Sequence, residues 1–478
     1  MKLSEILKNV PCELSGFECD ITSVEYDSRK VTPGSLFVAI CGYETDGHLY
    51  VKNAVENGAA AILAQNKVEA PVPVIYTEDT RQGLALAGAA FYGNSADRLK
   101  IIGVTGTNGK TTVTYLVKKI LELKGIKAGI IGTNQNIVGN EVLEAGRTTP
   151  ESLDLHELFK RMEDAGATHV IMEVSSHALA LSRTYGIDFE VGAFTNLTQD
   201  HLDFHKTFEE YYKAKAKLFS QCKKGAVNID DSYGERMAQD SKAPVLTYGI
   251  SDKADIRAEN IKLSERGVIF DVNYGGKTHE VRLGIPGKFS VYNALTAITI
   301  CLQLGIDFED IVKGLILAKG VKGRAEVVPL SAPYTVIIDY AHTPDGLENI
   351  INTVRGFAKG RVVTLFGCGG DRDKTKRPIM GDIAGTLSDF CVVTSDNPRT
   401  ENPSLIIKDV LEGMKKFEGK YVAIEDRTEA IKYAMENAKE GDVIILAGKG
   451  HETYQIVKSG KIDYDERVIV KSIFEGMK

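Results

Sequence analysis

The sequence contains no run of 18 apolar residues, no Cys-x-x-Cys spacing, no internal repeat and no excess of basic charge. Without a long apolar run no segment reads as a membrane-spanning helix, and the early charges of Met1-Lys2-Leu3-Ser4-Glu5-Ile6 do not suit a signal peptide. The seven cysteines, Cys12, Cys19, Cys41, Cys222, Cys301, Cys368 and Cys391, are odd in number and scattered, so they are expected to be reduced in a cytoplasmic protein with no zinc site. A formal net charge of -7 argues against nucleic acid as the main partner. An anionic ligand must therefore be held by local basic groups and backbone donors, not by a positive field over the whole molecule.

What is present is ordinary in bulk and specific in places. A hydrophobic content of 43% and a charged content of 26% belong to a soluble globular protein. The 478 residues are too many for one core, and about three domains of ~100–200 residues each are expected. The chain is organised around Gly103-Val-Thr-Gly-Thr-Asn-Gly-Lys-Thr-Thr112. Leu99-Lys100-Ile101-Ile102 with Val104 reads as a buried strand, and Val113, Leu116, Val117, Ile120 and Leu123 recur at helical spacing until Lys124-Gly125. Strand, glycine turn and helix are what a phosphate loop needs, because unpaired N–H groups and the helix dipole favour an anion there. Lys110 is placed to reach terminal phosphates and the Thr111 hydroxyl to ligate Mg2+. The usual first glycine of the pattern falls on Val104; this chain has Gly103, Gly106 and Gly109 instead.

Residues 1 to about 98 read as a small α/β domain, with Leu36-Phe37-Val38-Ala39-Ile40 between polar turns. Asp27-Ser28-Arg29 is either a capped surface turn or part of a ligand loop. The region after the phosphate loop alternates strands and helices, as a mostly parallel sheet requires. Strands end at Glu173 and at Thr195-Asn196, which places Glu173, His177, Asn196, Asp200 and His201 near the phosphates.

The helix opening at Thr207 carries an anomaly. Thr207 and Glu210 are spaced as a capping box, and Phe208, Tyr211, Tyr212 and Phe219 line one face. Lys215 falls in that face, about 20° from the Phe208 direction, while Lys213 and Lys217 point away. A lysine so placed must pair with an acid, reach solvent or lose its proton; a neutral amine can also take up CO2 as a carbamate, turning a cation into a carboxylate metal ligand.

From Asp255 to Gly287 the alternation changes to antiparallel hairpins, followed by a helix containing Asn293 and a hinge at Lys319-Gly-Val-Lys-Gly-Arg324. Beyond Ala325, four strands end in polar, glycine-rich turns at Asp339, Gly367, Asp396 and Ala447, which together define a ligand edge.

The sequence resembles the Mur ligases, ATP-dependent amide-forming enzymes of peptidoglycan synthesis. The resemblance runs over essentially the whole chain through Asp27-Ser-Arg29, Gly106-Thr-Asn-Gly-Lys-Thr111, Glu173-Val-Ser-Ser-His177, Asp200-His-Leu-Asp203, Asp339-Tyr-Ala-His-Thr-Pro344 and Gly369-Gly-Asp-Arg372. In that family Asp396-Asn-Pro-Arg399 is the signature associated with adding meso-diaminopimelate. The resemblance implies three α/β domains: a UDP-substrate domain over residues 1–98, a central ATP domain with a phosphate loop and mostly parallel sheet over 99–323, and a Rossmann-like domain over 324–478.

It also implies an activity and a site. The D-glutamyl carboxylate of UDP-N-acetylmuramoyl-L-alanyl-D-glutamate would be activated by ATP as an acyl phosphate and attacked by the diaminopimelate amine. By the same resemblance, Tyr26, Ser28, Tyr43, Glu44 and Thr45 hold the uridine nucleotide, and Thr148, Thr149, Ser175 and Arg183 the muramoyl dipeptide. Gly106, Thr107, Asn108, Gly109, Lys110, Thr111, Thr112, Asn293, Arg324 and Asp339 meet ATP. Arg372, Asp396, Asn397, Pro398, Arg399, Gly448 and Glu452 meet the amino acid. Thr111 and Glu173 would hold one Mg2+, and His201 and a Lys215 carbamate a second, with Lys110, His201 and Lys215 catalytic. The expected partners are small molecules alone, with no nucleic acid and no membrane, for a cytoplasmic monomer.

Overall fold

The computed structural model describes all residues except 14, 15, 43, 44, 199, 201, 319 and 478, and for Leu202 and Asp203 it describes the backbone alone. The described chain packs as two compact units, Met1–Ile256 with Leu295–Ile311 and Arg257–Ala294 with Val312–Lys478.

The first unit holds two sheets. Strands Ser23–Glu25, Ser35–Val38, Ala61–Ala64 and Val74–Tyr76 pair in chain order, all parallel. The two middle strands are buried at every position, as their unbroken apolar runs require when both faces are covered. Leu84 and Ala87 of helix Thr80–Phe91 cover one face; Val51 and Ala54 lie in the core of the other.

In the central sheet of this unit, strands run in the order Val245–Gly249, Gly225–Asn228, Val191–Phe194, Lys100–Thr105, His169–Glu173, Ala128–Ile131, all parallel, and continue into the antiparallel strands Gln135–Val138 and Glu141–Glu144. The order puts the phosphate-loop strand between the strands that end at Phe194 and at Glu173. Residues 89 and 68 positions further along the chain than Thr105 are thus brought to either side of the loop by sheet pairing. The two sheets share packing: Leu153 of helix Ser152–Asp164 enters the core of the first sheet, the Tyr26 hydroxyl donates to Asp154 at 2.8 Å, and Ser95 and Arg98 both bond Glu163.

The second unit contains, from Arg257 onward, the antiparallel meander of strands Ile256–Ser264, Gly267–Tyr274 and Lys277–Leu283, and a six-stranded sheet. In that sheet an antiparallel strand, Glu326–Val328, precedes five parallel ones in the order Thr335–Asp339, Val443–Ala447, Val362–Phe366, Phe390–Val393, Tyr421–Ala423. Apolar cores cover both faces. The four glycine-rich turns expected from sequence therefore follow four neighbouring parallel strands and open at one carboxyl edge. Among the described residues no helix is long and apolar enough to cross a membrane.

Candidate active site

The phosphate loop joins strand Lys100–Thr105 to helix Lys110–Leu123, whose N-cap is Gly109 at φ +88°. Val113, Leu116, Val117 and Ile120 are buried as expected, whereas Leu123, at the last position of the helix, is 42% exposed and Leu121 is buried in its stead. Gly106, at φ +145°, passes so near the next strand end that a Cβ there would lie 1.9 Å from Thr195 Oγ1. That closeness is used: Thr195 Oγ1 donates to Asn108 O at 2.6 Å, while Asn196 accepts from Thr107 N through its carbonyl (2.9 Å) and from Asn108 N through Oδ1 (2.8 Å). Asn196, expected near the phosphates, is a brace of the loop. Lys110 Nζ donates to Gly106 O at 2.8 Å and Thr107 O at 2.9 Å, so the ammonium lies over the loop it belongs to.

On the other side stands Glu173, 1% exposed. Its carboxylate accepts from Thr111 Oγ1 at 2.9 Å, from Thr133 N at 2.9 Å and from Thr133 Oγ1 at 3.0 Å. Every one of these donors is neutral, so a buried carboxylate sits beside a hydroxyl with no cation among its hydrogen-bond donors in the described residues. Burying a charge in that way is costly, and two hard oxygens 2.9 Å apart suit Mg2+. Thr133 was not singled out by sequence; its role depends on strand Ala128–Ile131 lying next to His169–Glu173.

The polar chain continues outward. Thr133 Oγ1 lies 3.0 Å from Thr148 Oγ1, Thr149 Oγ1 donates to Glu173 O at 2.9 Å, and Ser175 N donates to Thr149 Oγ1 at 3.0 Å. Arg183 bonds Thr149 O at 3.1 Å and Glu151 at 2.9 Å. Burial lowers the Arg183 pKa, with the Glu151 charge opposing the shift. Glu151 also meets Arg147 at 3.2 Å and Arg81 at 3.6 Å.

Lys215 is 1% exposed, with Nζ 4.6 Å from the Tyr211 ring centroid; Lys213 and Lys217 are exposed. Burial, and then the nearby Lys110 charge, push the Lys215 pKa well below the usual lysine value, against an opposing pull from Asp200. Tyr211 places its hydroxyl 3.2 Å from Thr107 Oγ1, which ties this helix, Phe208–Ala216, to the phosphate loop. Only half of the expected capping box forms. Thr207 Oγ1 accepts from Glu210 N, but the Thr207 N–H is already given to His205 O at 2.7 Å, and the Glu210 carboxylate meets Lys213 instead. His201, expected beside Lys215, lies outside the described residues.

In the first sheet Asp27 caps the short 3-10 helix Ser28–Lys30 by accepting from Arg29 N at 3.1 Å, and Ser28 is buried with its carbonyl bonded to Asn57. Burial, with the Asp154 charge, raises the Tyr26 hydroxyl pKa. Thr45 Oγ1 lies 3.1 Å from Tyr50 OH; Tyr43 and Glu44 lie outside the described residues. Cys41, Asp46 and His48 converge in this loop. Gln65 N and Asn66 N, however, both donate to His48 Nε2 at 3.1 Å, which leaves the imidazole proton on Nδ1, where it meets Asp46 at 2.6 Å. The group is an anchor for the loop, with no lone pair on Nδ1 to offer a metal.

In the second unit Asp339 is half-buried and accepts from Ala325 N at 2.7 Å and Ala341 N at 2.9 Å; desolvation raises its pKa, opposed by Arg324. The Arg324 guanidinium lies 5.2 Å from the Tyr340 ring centroid, and Asn293 is buried on helix Lys288–Gln303. Asn397 is fully engaged: Oδ1 accepts from Lys449 Nζ and Ile456 N, and Nδ2 donates to Glu452 Oε2 at 2.9 Å. Lys449, buried and not anticipated, also donates to Glu452 Oε2 at 2.9 Å. Pro398 is buried. Arg399 adopts φ +52° and Asp371, on the facing turn, φ +53°; Arg399 Nη1 donates to Gly370 O at 2.8 Å, and the exposed Arg372 donates to Asp371 O. A non-glycine residue in the left-handed region is held there only by its surroundings. Gly448, at φ +116°, has no room for a side chain, since a Cβ would lie 2.4 Å from Asp396 Oδ2.

A braced phosphate loop beside a buried carboxylate in one unit, and in the other a sheet edge that carries both a guanidinium and a carboxylate, are features that an ATP-dependent amide ligase can use. Residues 20–92 match the Mur ligase family catalytic domain, 104–301 the Mur ligase middle domain and 323–450 the Mur ligase glutamate ligase domain. The chain belongs to the Mur ligase family. It is 52% identical over 477 residues to the UDP-N-acetylmuramoyl-L-alanyl-D-glutamate--2,6-diaminopimelate ligase of Caldanaerobacter subterraneus subsp. tengcongensis, with 99% of each chain covered. It is 51% identical over 482 residues to a like-named ligase of Clostridium acetobutylicum, again with 99% of each covered. A solved structure bearing that enzyme name superposes with a TM-score of 0.74 at 32% identity, covering 100% of this chain and 99% of the other.

Proposed function

We propose that this ligase joins meso-2,6-diaminopimelate to UDP-N-acetylmuramoyl-L-alanyl-D-glutamate with cleavage of ATP to ADP and phosphate, a step of peptidoglycan precursor synthesis in the cytoplasm. The observation that carries the reading is the pairing of Arg399 and Glu452 on one sheet edge: a pinned guanidinium suits the distal carboxylate of the diamino acid, and a carboxylate held by Lys449 and Asn397 suits an ammonium. The names borne by relatives of about half-identical sequence over full length point the same way.

In this reading residues 1–98 form the UDP-substrate domain, 99–323 the ATP domain and 324–478 the amino-acid domain. Ser28, Tyr26 and the loop at 43–45 take the uridine nucleotide, and Thr148, Thr149, Ser175 and Arg183 the dipeptide. The amides of residues 106–112 and the Lys110 ammonium bind the phosphates and stabilise charge as the γ-phosphoryl group moves to the D-glutamyl carboxylate. The amine of diaminopimelate then attacks the acyl phosphate, forming the amide C–N bond and releasing phosphate. Thr111 and Glu173 would hold Mg2+, and Lys215 as a carbamate would join His201 in holding a second ion. Mg2+ bound there supplies positive charge to the phosphate oxygens. Asn293, Arg324 and Asp339 belong to the nucleotide, and Arg372, Asp396, Asn397, Pro398 and Gly448 to the amino acid. The protein acts as a monomer without nucleic-acid or membrane partners.

The test is to incubate the protein with the UDP-muramoyl dipeptide, ATP and Mg2+ and, separately, meso-diaminopimelate or L-lysine. A tripeptide mass and ADP release that depend on diaminopimelate are expected. Equal use of lysine would overturn the substrate assignment, and ADP release without any ligated product would overturn the reaction.

A further inference from the structure

The turns Asp396 to Arg399 and Gly448 to Glu452 follow strands Phe390–Val393 and Val443–Ala447, and those strands do not pair, because Val362–Phe366 lies between them. Sheet ladders therefore do not set the base of one turn directly against the base of the other. Arg427 spans the gap. Its Nη1 donates to Ser395 O at 3.3 Å, its Nη2 to Ala447 O at 2.9 Å and its Nε to Glu466 Oε1 at 2.8 Å. The two carbonyls belong to the residues immediately before Asp396 and Gly448.

The side chains of Arg427 and Glu466 are both 0% exposed. A buried ion pair is a poor stabiliser, since the desolvation of both charges offsets their attraction, and a well-packed apolar pair of similar volume serves stability as well or better. Glu466 Oε2 adds to the cost, being buried with no hydrogen-bond partner among the described residues. What an apolar pair cannot supply is several N–H donors fixed in one plane and aimed at separate carbonyls. We infer that Arg427 is a positioning residue for the amino-acid substrate: it sets the spacing of the two turns, and Glu466 neutralises it in place. Asn397 and Lys449, which both reach Glu452, link the turns at their rims, whereas Arg427 links them at their bases. The inference rests on the proposed reading that these turns receive the diamino acid.

The experiment replaces the pair together, Arg427→Met with Glu466→Leu, because removing the arginine alone strands a buried carboxylate. The full-length double variant is expected to fold and to melt near the wild-type temperature, relief of two buried charges offsetting the lost donors to Ser395 O and Ala447 O. Its KM for meso-diaminopimelate should rise about 10–100-fold, the scale of effect of a small misplacement of binding groups, with the KM for ATP and for the UDP-dipeptide unchanged within about twofold. Arg427→Lys, which keeps the charge opposite Glu466 but not the planar fork, should show the same selective rise. A wild-type KM for diaminopimelate in either folded variant, or an equal rise in all three KM values, overturns the inference. Arg399→Ala and Glu452→Gln are measured beside them. If those two leave the diaminopimelate KM unchanged, it is the assignment of the turns to the amino acid that fails; if they raise it and the Arg427 variants do not, only the role of Arg427 fails.

Discussion

The Thr111 hydroxyl donates to Glu173 Oε1 at 2.9 Å, from the first turn of one helix to the end of the strand beside it, and among the described residues the carboxylate takes its other hydrogen bonds from Thr133. In the proposed reading this buried carboxylate, whose donors among the described residues are neutral, takes a cation that arrives with the nucleotide. Glu173→Gln should therefore raise the Mg2+ concentration needed for half-maximal ligation by about tenfold or more and lower the rate, without lowering the melting temperature. An unchanged Mg2+ titration would remove Glu173 from the metal site.

Lys110 donates through Nζ to two carbonyls of its own loop, Gly106 O and Thr107 O. Lys110→Ala is expected to melt within a few degrees of wild type yet lose about 10^2–10^3-fold or more in turnover, the usual effect of deleting a donor aimed at developing charge. Near-normal turnover would eliminate the phosphate-loop assignment.

Burial and the Lys110 charge favour a neutral Lys215 amine, the form that reacts with CO2. Carbon-13 NMR under labelled CO2 should show one carbamate that disappears in Lys215→Ala and persists in Lys213→Ala and Lys217→Ala. Activity should fall in bicarbonate-free buffer and return when bicarbonate is restored. Full activity without bicarbonate, and no carbamate signal, would mean that Lys215 serves as an ordinary buried amine.

In the proposed reading Arg399 decides between diaminopimelate and lysine, which differ chiefly in one carboxylate. A site built to pair a charged group can reject an analogue lacking it by about 10^4 or more, because the stranded partner adds its own desolvation cost. Arg399→Ala should raise the KM for diaminopimelate far more than that for ATP, and lysine should stay poor. An unchanged ratio between the two amino acids would contradict the role.

His156 is buried in helix Ser152–Asp164, and burial lowers its pKa from 6.5 to about 4. Between those values the unfolded chain binds a proton that the folded chain does not, so this contribution to stability is whole above pH 6.5 and is lost as the pH falls towards 4. Its full extent is about 3 kcal/mol. The denaturant midpoint of His156→Phe should fall less steeply than wild type between pH 7 and 4.5; parallel curves would show that other groups govern acid unfolding.

Local features were legible in the sequence because they depend on neighbours in the chain. The strand, glycine turn and helix around Lys110, the four strand ends of the last sheet and the misplaced charge of Lys215 all follow from periodicity and punctuation. The partners of those features were not legible. Thr133 meets Glu173, Asn196 braces the loop and Arg427 reaches two turns only through strand order, which no spacing along the chain encodes. The capping box at Thr207 failed for a related reason: a nearer carbonyl, that of His205, took the N–H that Glu210 would have accepted from.

The strand Val443–Ala447 is the last of its sheet to be synthesised, yet it lies between Thr335–Asp339 and Val362–Phe366. During translation those two earlier strands emerge with a vacant slot between them, and neither can complete its backbone hydrogen bonds until Val443–Ala447 has left the ribosome. A message truncated short of this strand yields a polypeptide whose final sheet is split down the middle, exposing unpaired edges to aggregation and proteolysis. The inserted strand thus ties the closure of this sheet to one of the last segments of it to be made.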